Sequence, residues 1–286
     1  MNSPSSRVLV MGATGMLGHM AVEVLAHGFD VVGSVRDVDA AHRYGLPAQL
    51  VTFSVGDDID ALLEQVKPDA VLNAIGLVKQ LPTGRSPRSA IRLNSLLPHE
   101  LAEACARIGA RLVHISTDCV YSGKLAAPAR YSEDDLPDAQ DVYGRSKLLG
   151  EVLEPPGLTL RTSIIGHELE RASGLLEWFA AQDGSEVFGF TNAVFSGLTT
   201  RELSRIVAMV LQEHADLSGL WHVAGEPIDK HDLLLRLRDA LDVRCDITPR
   251  DAPVINRALD SERFERATGY RPPSWEQMLE EYRVDE

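Results

Sequence analysis

The sequence predicts an α/β protein built on a doubly wound, mainly parallel β-sheet, followed by a smaller C-terminal part. Short aliphatic runs alternate with helically spaced segments over the first half of the chain, which is the pattern of repeated β–α–β units. The chain has 286 residues, of which 44% are apolar and 24% are charged. This length and composition suit one large domain, or one domain with an appendage, whose core needs no disulfide or metal.

The elements follow from local patterns along the chain. Buried strands, each a short apolar run, are expected at 7–11, 30–35, 51–53, 70–75, 111–116 and 158–162. Helices, marked by apolar spacing and by a following glycine or proline, are expected at 17–27, 59–66, 89–108 and 143–153. After about residue 161 the alternation loosens, with helices expected at 175–181, 200–213, 230–241 and 273–282 and one late strand at 220–224.

The charge balance limits the class of partner. The chain carries 28 basic and 42 acidic residues, a formal net charge of −14. Nucleic-acid binders gain affinity from Lys and Arg on phosphates, so we expect no nucleic acid polymer as partner. The same balance argues against an anionic membrane surface, and the sequence has no apolar run near the roughly 18 residues of a membrane span.

Cysteines and histidines predict neither a disulfide framework nor a metal centre. Cys105, Cys119 and Cys245 are far apart and form no CxxC pair, so we expect reduced thiols in a cytoplasmic protein. The nine histidines show no HxxxH or HExxH spacing, and no catalytic metal is expected. His114 falls inside a predicted strand and is expected to pack in the core.

A glycine loop lies directly after the first predicted strand and before the first predicted helix. Gly12, Gly15 and Gly18 form the segment GATGMLG. Free amides and the dipole at such a helix N-terminus favour a pyrophosphate, and glycine lets the backbone approach it closely. The alternative is a tight strand–helix turn without a ligand. The position in a β–α unit favours dinucleotide binding.

The end of the second strand indicates which dinucleotide is bound. An acid there would bind a ribose 2′-hydroxyl, but this chain has Val35 followed by Arg36. An arginine can pair with a 2′-phosphate, so NADP(H) is favoured and NAD(H) remains an alternative. The alternative for Arg36 itself is an exposed arginine that only stacks on the adenine. Asp57, after the third strand, is expected either to approach the adenine amino group or to cap a helix.

A tyrosine and a lysine stand four residues apart in the segment VYGRSK. Tyr143 and Lys147 would share one helix face, where an ammonium favours the phenolate and allows proton transfer near neutral pH. Thr117 ends the fifth predicted strand, and strand C-termini meet the ligand crevice of a doubly wound sheet. A packed surface tyrosine is the alternative, but the combination with the glycine loop favours a catalytic role.

These segments together resemble an extended short-chain dehydrogenase/reductase, most closely the dTDP-4-dehydrorhamnose reductase group of sugar-nucleotide reductases. The resemblance covers nearly the whole chain and rests on GATGMLG, ISTDCVYSG, YGRSK, LRTSIIG and WHVAG. It implies that Thr117 orients a carbonyl, that Tyr143 donates the proton, and that Lys147 acts on Tyr143 and holds the nicotinamide ribose. Together with the glycine loop and the strand-end residues described above, it gives an expected cofactor-binding set of Gly12, Thr14, Gly15, Met16, Leu17, Arg36, Asp57, Ala74, Gly76, Asn94, Tyr143, Lys147, Ser163 and Ile165.

The substrate side departs from the family pattern. Cys119 and Tyr121 replace two aromatic residues of the usual Ser-Thr-Asp-Tyr-Val-Phe, and Gly197-Leu198-Thr199 lacks the usual proline. These changes point to a side branch acting on another nucleotide sugar. The substrate-binding residues implied are Ser116, Thr117, Asp118, Lys79, Arg201 and Arg257; for the last three, a loop or an ordinary salt bridge is the alternative.

The resemblance divides the chain by role. An NAD(P)-binding Rossmann domain is expected over 1–161 and a mainly substrate-binding part over 162–286, with the chain returning to the sheet near 220–225. The expected reaction is NAD(P)H-dependent reduction of a nucleotide-linked 4-keto-6-deoxyhexose in polysaccharide or deoxysugar biosynthesis. The alternatives are an epimerase or dehydratase of the same superfamily, or a non-catalytic NADP-binding subunit like that of methionine adenosyltransferase. A homodimer is compatible with the resemblance.

Overall fold

The computed structural model describes residues 5–77, 86–170 and 174–283. Its strands are β1 Arg7–Met11, β2 Asp30–Val35, β3 Gln49–Thr52, β4 Ala70–Asn73, β5 Arg111–Thr117, β6 Gly157–Thr162, β7 Ile164–Ile165, β8 Glu186–Phe190, β9 Ala193–Phe195, β10 Leu198–Thr199, β11 Gly219–His222, β12 Ile228–Asp229, β13 Asp246–Arg250 and β14 Ile255–Asn256. Its α-helices are α1 Met16–Leu25, α2 Val38–Ala41, α3 Ile59–Val66, α4 Pro87–Ala90, α5 Leu97–Ile108, α6 Val142–Leu149, α7 Leu175–Ala180, α8 Thr200–Glu213, α9 Lys230–Ala240, α10 Glu262–Thr268 and α11 Trp275–Leu279.

A seven-stranded sheet carries the fold, in the order β11-β6-β5-β4-β1-β2-β3. The pairs from β3 through β5 are parallel. The strand order reverses at β1, which lies between β2 and β4, so the crevice at the carboxyl ends of β1 and β4 is where such sheets bind ligands. The predicted doubly wound α/β fold is therefore confirmed. None of the described helices is long and apolar enough to cross a membrane.

The chain divides into two compact units. Unit 1 takes its residues from Met1–Ser116, Gln140–Leu160 and Thr200–Leu220, and unit 2 from Thr117–Ala139, Arg161–Thr199 and Trp221–Glu286. The predicted division by role at residue 161 stays a prediction. The core of unit 1 consists of buried aliphatic residues of the sheet packed against α3 and α5, among them Leu9, Met11, Leu63, Val71, Leu97, Leu101 and Leu112.

Unit 2 contains helices and short strands that pair into small sheets. β9 pairs antiparallel with β12 and parallel with β14, and β8 pairs parallel with β13. β7 pairs parallel with β10. These strands are two to five residues long, and none of them was predicted, because so few residues carry no periodic signal.

The predicted helix at 89–108 is wrong as a single α-helix. The structure has α4, then a π-helical turn at Ile91–Leu96, and then α5. Pro98 explains the break, because proline has no N–H to offer the carbonyl four residues earlier and its ring clashes with it. That carbonyl belongs to Asn94, and a Cβ added to Gly150 would overlap it. Asn94 therefore lies at a π-bulge, a feature frequent at functional sites.

Other boundaries shift by a few residues. The predicted strand at 70–75 ends at Asn73, whose side-chain Oδ1 accepts the N–H of Ile75 at 3.1 Å and turns the chain. The predicted helix at 143–153 ends at Leu149, before Gly150. The predicted helix at 273–282 is α11, capped by Ser274, followed by a 3₁₀ turn at Glu280–Tyr282.

Candidate functional site

The glycine loop packs closely against its own unit. Gly12 has φ +78°, a left-handed conformation that favours glycine, and a Cβ added there would lie 2.9 Å from Ile75 Cγ1. A Cβ added to Gly18 would overlap the carbonyl oxygen of Gly12. Side chains at these two positions would therefore push the loop away from the first helix and from the β4 end.

The N-terminus of α1 is prepared for an anion. Gly15 is the N-cap residue, and no described side chain caps the helix. The loop is fixed instead by Ser34, whose carbonyl oxygen accepts from Ala13 N–H at 2.9 Å and whose hydroxyl accepts from Gly12 N–H at 3.2 Å. Uncapped N–H groups and the helix dipole together bind phosphate, so these residues fit the pyrophosphate of a dinucleotide. Of the predicted neighbours, Thr14 and Met16 are half-buried and Leu17 is buried.

Arg36 and Asp57 lie near the ends of neighbouring strands. Arg36 follows β2 directly and is exposed, as a residue that meets a ribose phosphate must be. The Asp57 carboxylate accepts the N–H of Ser54 at 2.6 Å, so it stabilises the turn after β3. The helix cap that sequence reasoning considered for Asp57 is its neighbour Asp58, which accepts the N–H of Ala61 at 3.1 Å.

Asn94 ties the end of β4 to α6. Its Oδ1 accepts the N–H of Leu77 at 2.8 Å, and its Nδ2 donates to the Leu77 carbonyl and to Ser146 Oγ, both at 3.1 Å. The amide is thus bonded on both sides within the protein, which supports a positioning role. The predicted cofactor residues Ala74, half-buried, and Gly76, exposed, lie on the segment that Asn94 holds.

Tyr143 and Lys147 lie one turn apart on α6. Asp141 caps this helix by accepting the N–H of Gly144 at 2.8 Å. Tyr143 is half-buried and Lys147 is buried. The Lys147 Nζ donates to the carbonyl oxygen of Ile115 at 2.6 Å. Burial lowers the pKa of Lys147 from 10.5 to about 8, against an opposing effect of the Glu151 carboxylate.

Two buried residues next to Lys147 were not predicted to be functional. His114 Nε2 lies 3.4 Å from Lys147 Nζ, and His114 Nδ1 lies 3.1 Å from Asn73 Nδ2. His114 is completely buried, as expected of a core residue, and burial and the Lys147 charge hold its pKa well below the usual value. The sequence could place His114 only within a strand, because the contact of this strand with α6 depends on the tertiary structure.

The hydroxyl residues at the end of β5 differ in their partners. Ser116 Oγ donates to Glu151 Oε1 at 2.7 Å, and both are buried in unit 1. Thr117 begins unit 2, where its Oγ1 lies 3.2 Å from Asp118 Oδ1 and accepts the N–H of Cys119 at 3.1 Å. Ser116 is thus held within unit 1, while Thr117 is bonded to the two residues that follow it.

A cluster of charges surrounds Asp118 in unit 2. Burial raises the pKa of the Asp118 carboxyl, while the nearby Arg257 and Lys230 charges lower it. The Lys230 Nζ lies 3.5 Å from the centroid of the Phe195 ring, a cation–π geometry. Burial lowers the pKa of Lys230 to about 8, against the opposing charge of Asp118. Lys230 and Phe195 were missed, because a lysine at the start of a predicted helix gives no sign that it will lie over an aromatic ring.

The two arginines predicted to bind substrate have different surroundings. Arg257 donates from Nε to the carbonyl oxygen of Tyr121 at 2.9 Å, beside the Asp118 charge. Arg201 belongs to unit 1, where its Nη2 pairs with Glu23 Oε1 at 3.0 Å, between α8 and α1. The salt bridge considered as the alternative is therefore present for Arg201. Lys79 lies outside the described residues.

Ser163 and Ile165 lie on or beside the short strand β7. Ile165 pairs with Thr199 of β10 and is buried. The carbonyl oxygen of Ser163 accepts the N–H of Leu198 at 2.9 Å. Both predicted nicotinamide neighbours are therefore held by backbone bonds to the segment that carries Gly197.

One group of possible metal donors lies at the start of α9. Donor atoms of Asp229, His231 and Asp232 lie within 4.8 Å of one another. Asp229 already accepts the N–H of Asp232 at 2.9 Å as the N-cap of α9. Helix capping therefore explains its position without an ion.

Comparison with known proteins identifies the family. The family described as RmlD substrate binding domain matches residues 6–285. The dTDP-4-dehydrorhamnose reductase of Aggregatibacter actinomycetemcomitans is 24% identical over 98% of this chain and 99% of that protein, and methionine adenosyltransferase 2 subunit beta of Mus musculus is 27% identical over 95% and 86%. The structure of Bacillus anthracis dTDP-4-dehydrorhamnose reductase in complex with NADP superposes with a TM-score of 0.77, at 20% identity, over 97% and 98%. The predicted resemblance is confirmed, and the chain belongs to the RmlD substrate binding domain family.

Proposed function

We propose that this chain is an NAD(P)H-dependent reductase of a keto nucleotide sugar, such as a nucleoside-diphosphate-linked 4-keto-6-deoxyhexose, in polysaccharide or deoxysugar biosynthesis. The observation that carries the proposal is the pair on α6: Tyr143 lies one turn before a buried Lys147 whose pKa is about 8. The glycine loop with its uncapped helix belongs to the same unit. Reductases among the relatives support the same reaction.

The residues of unit 1 fit a nicotinamide dinucleotide. The Gly12–Gly15 loop and the first turn of α1 would hold its pyrophosphate. Arg36, exposed after β2, would pair with the 2′-phosphate of NADP(H), which we therefore favour over NAD(H). For the other residues of the predicted cofactor-binding set we propose the same role as the sequence predicted. Asn94 would act indirectly, through its hydrogen bonds to the backbone of Leu77.

The proposed mechanism assigns a separate role to each polar residue. A bound reduced nicotinamide supplies the hydride that the carbonyl carbon receives. Tyr143 donates its phenolic proton to the carbonyl oxygen, so that a ketone becomes a secondary alcohol. Lys147, as the ammonium, stabilises the phenolate left behind, gives it a proton, and takes up a new proton from solvent. Thr117 orients the carbonyl oxygen through its hydroxyl.

Unit 2 supplies the proposed substrate contacts. Lys230 and Arg257 provide two positive charges against the single carboxylate of Asp118, in a chain whose net charge is −14. This local excess of positive charge suits the diphosphate of a nucleotide sugar. Asp118 would accept hydroxyl hydrogen bonds, since carboxylates are acceptors only. We further propose that the enzyme is cytoplasmic and forms a homodimer.

A second candidate is a non-catalytic subunit that binds the dinucleotide and a partner protein. The likeness to methionine adenosyltransferase 2 subunit beta over 95% of the chain favours it. The presence of Tyr143, Lys147 and Thr117 favours the reductase instead, because a binding subunit has no need of a proton donor.

Turnover with a panel of 4-keto nucleotide sugars separates the candidates. We expect oxidation of NADPH with at least one of them, and a large loss in Tyr143→Phe, which removes only the phenolic proton donor. Tyr44→Phe, at a half-buried tyrosine that stacks with Arg43, is the matched control. Firm NADPH binding without oxidation of any panel member would favour the binding subunit. Full activity of Tyr143→Phe would contradict the mechanism.

A further inference from the structure

Asn73 fixes the hydrogen bonding of a buried histidine in unit 1. The Asn73 Oδ1 accepts the backbone N–H of Ile75 at 3.1 Å, and a backbone N–H can only donate. The other side of the amide, Nδ2, therefore faces His114 Nδ1, 3.1 Å away. An amide nitrogen donates, so Nδ1 is the acceptor. A neutral imidazole that accepts at Nδ1 carries its proton on Nε2.

The proton on Nε2 points towards the lysine. His114 Nε2 lies 3.4 Å from Lys147 Nζ. An ammonium has three donors and no acceptor, so a protonated Lys147 would meet another donor here. A neutral amine has a lone pair and can accept the Nε2–H while it donates to the Ile115 carbonyl oxygen at 2.6 Å. Buried unsatisfied donors are costly, and the contact therefore favours the amine.

We propose that Asn73 and His114 are positioning residues that set the protonation state of Lys147, by presenting an imidazole N–H to its side-chain nitrogen. All three side chains are at most 5% exposed, so water does not compensate for the mismatch. The proposal rests on the proposed function only for its consequence in catalysis, since the contact exists in the free protein.

The other ionisable groups around the lysine act in known directions. The Glu151 carboxylate favours the ammonium and raises the pKa of Lys147, and Tyr143 lies one turn earlier on α6. The His99 ring further lowers the pKa of His114. Asn73 is the uncharged member of the set. We call the contacts from Asn73 through His114 to Lys147 the relay, and a substitution at Asn73 changes it without altering His114 or Lys147 themselves.

The consequence for the enzyme is a lysine ready to release its proton. Lys147 with a pKa near 8 can protonate the Tyr143 phenolate after each reduction more readily than an ordinary lysine. Activity that needs the ammonium should fall as the pH rises through that pKa. A change that raises the Lys147 pKa should move this fall to higher pH.

The first experiment is an NMR titration of Lys147 in the free protein, assigned with Lys147→Arg. In Asn73→Asp the carboxylate accepts from Nδ1–H, so the imidazole proton moves to Nδ1 and Nε2 becomes an acceptor for the ammonium. We expect the Lys147 pKa to rise by about one pH unit, the size of one hydrogen bond to a charged group. Asn192→Asp, the same change at an exposed asparagine of unit 2, should leave it unchanged. An unchanged Lys147 pKa in Asn73→Asp would overturn the proposal.

A double variant separates the relay from the added charge. In the His114→Phe background, Asn73→Asp can act on Lys147 only through space, so we expect less than half of the shift seen with His114 present. Equal shifts in both backgrounds would show that charge alone acts, and would contradict the relay.

The wild-type protein provides a measurement without any substitution in the relay. Long-range proton–nitrogen correlations of the His114 ring, assigned with His114→Gln, report which nitrogen carries the proton. We expect protonated Nε2 and unprotonated Nδ1; the opposite tautomer would refute the proposal. Because these measurements use no substrate, they succeed or fail independently of the reductase activity, whose failure would appear only as absent turnover.

Discussion

Each unit holds a lysine with a lowered pKa, and the buried Lys147 and the half-buried Lys230 differ in what surrounds them. Lys147 of unit 1 and Lys230 of unit 2 both have a pKa lowered from 10.5 to about 8, with burial as the largest cause. Lys147 contacts hydrogen-bonding atoms, the Ile115 carbonyl oxygen and the His114 ring. Lys230 lies over the face of Phe195 and near the carboxylate of Asp118.

The difference shows that desolvation alone does not define a role. A lysine held by a carbonyl and an imidazole can exchange a proton along hydrogen bonds. A lysine over an aromatic ring, beside one carboxylate, keeps a charge that a ligand anion can still neutralise. We therefore assign Lys147 to proton transfer and Lys230 to substrate binding, and the following predictions test this division.

The largest effect is expected from Lys147→Met. This substitution keeps the length of the side chain and removes its charge and its protons. We expect kcat/KM to fall by about two to four orders of magnitude, the range of a lost general acid–base contribution, mostly through kcat. Steady-state oxidation of NADPH measures it, with Lys67→Met at the exposed end of α3 as control. A fall in kcat/KM in Lys147→Met no larger than in the control would show that Lys147 is not the residue that protonates Tyr143.

The next effect concerns the pH dependence of stability in unit 2. His222 is completely buried and its pKa is lowered to about 4, mainly by burial and by the charge of Arg161. In the unfolded chain His222 takes up a proton near pH 6.5, whereas in the folded chain it does so only near pH 4. The free energy of unfolding therefore falls as the pH drops from 6.5 towards 4. The loss attributable to His222 is about 3 kcal/mol at most.

Urea unfolding of His222→Gln at pH 7 and at pH 4.5 tests this. The variant should lose less stability than the wild type between the two pH values, even if it is less stable at both. His27→Gln, which removes an exposed histidine, should keep the wild-type dependence. An unchanged dependence in His222→Gln would show that other groups control acid unfolding.

A smaller effect is expected from Lys230→Met. If Lys230 meets a substrate anion, its removal costs one hydrogen bond to a charged group, a rise of about 10- to 100-fold in the substrate KM. The kcat should change little, in contrast to Lys147→Met. A variant that lowers kcat as strongly as Lys147→Met would remove the distinction between the two lysines.

The smallest effect is expected from Arg36→Ala. Losing a charge-assisted contact to the 2′-phosphate should raise the KM for NADPH by about tenfold and leave the KM for NADH unchanged. Parallel assays with the two cofactors measure the ratio. Equal changes for both would show that Arg36 contacts the adenine rather than the phosphate.

The two units also differ in how much of each site can be predicted from the sequence. The glycine loop and the Tyr143–Lys147 pair are motifs of a few consecutive residues. The loop is one strand–helix turn, and the pair lies on one turn of α6. Lys230, Phe195 and Asp118 come together from distant parts of the chain, so no local spacing reveals them. The sequence showed His114 and Asn73 only as residues of two separate strands. The parallel pairing of β4 with β5, which sets the two side by side, becomes known only from the fold.

The most direct test of the central claim follows the hydride. Purified enzyme is incubated with a 4-keto nucleotide sugar and NADPH deuterated at either face of the nicotinamide C4, and the sugar product is analysed by mass spectrometry. A reductase predicts one deuterium in the sugar for each NADPH oxidised, from one face only, and a large loss of the signal in Tyr143→Phe. An altered sugar without deuterium or net NADPH oxidation would indicate an epimerase or dehydratase and would contradict the account.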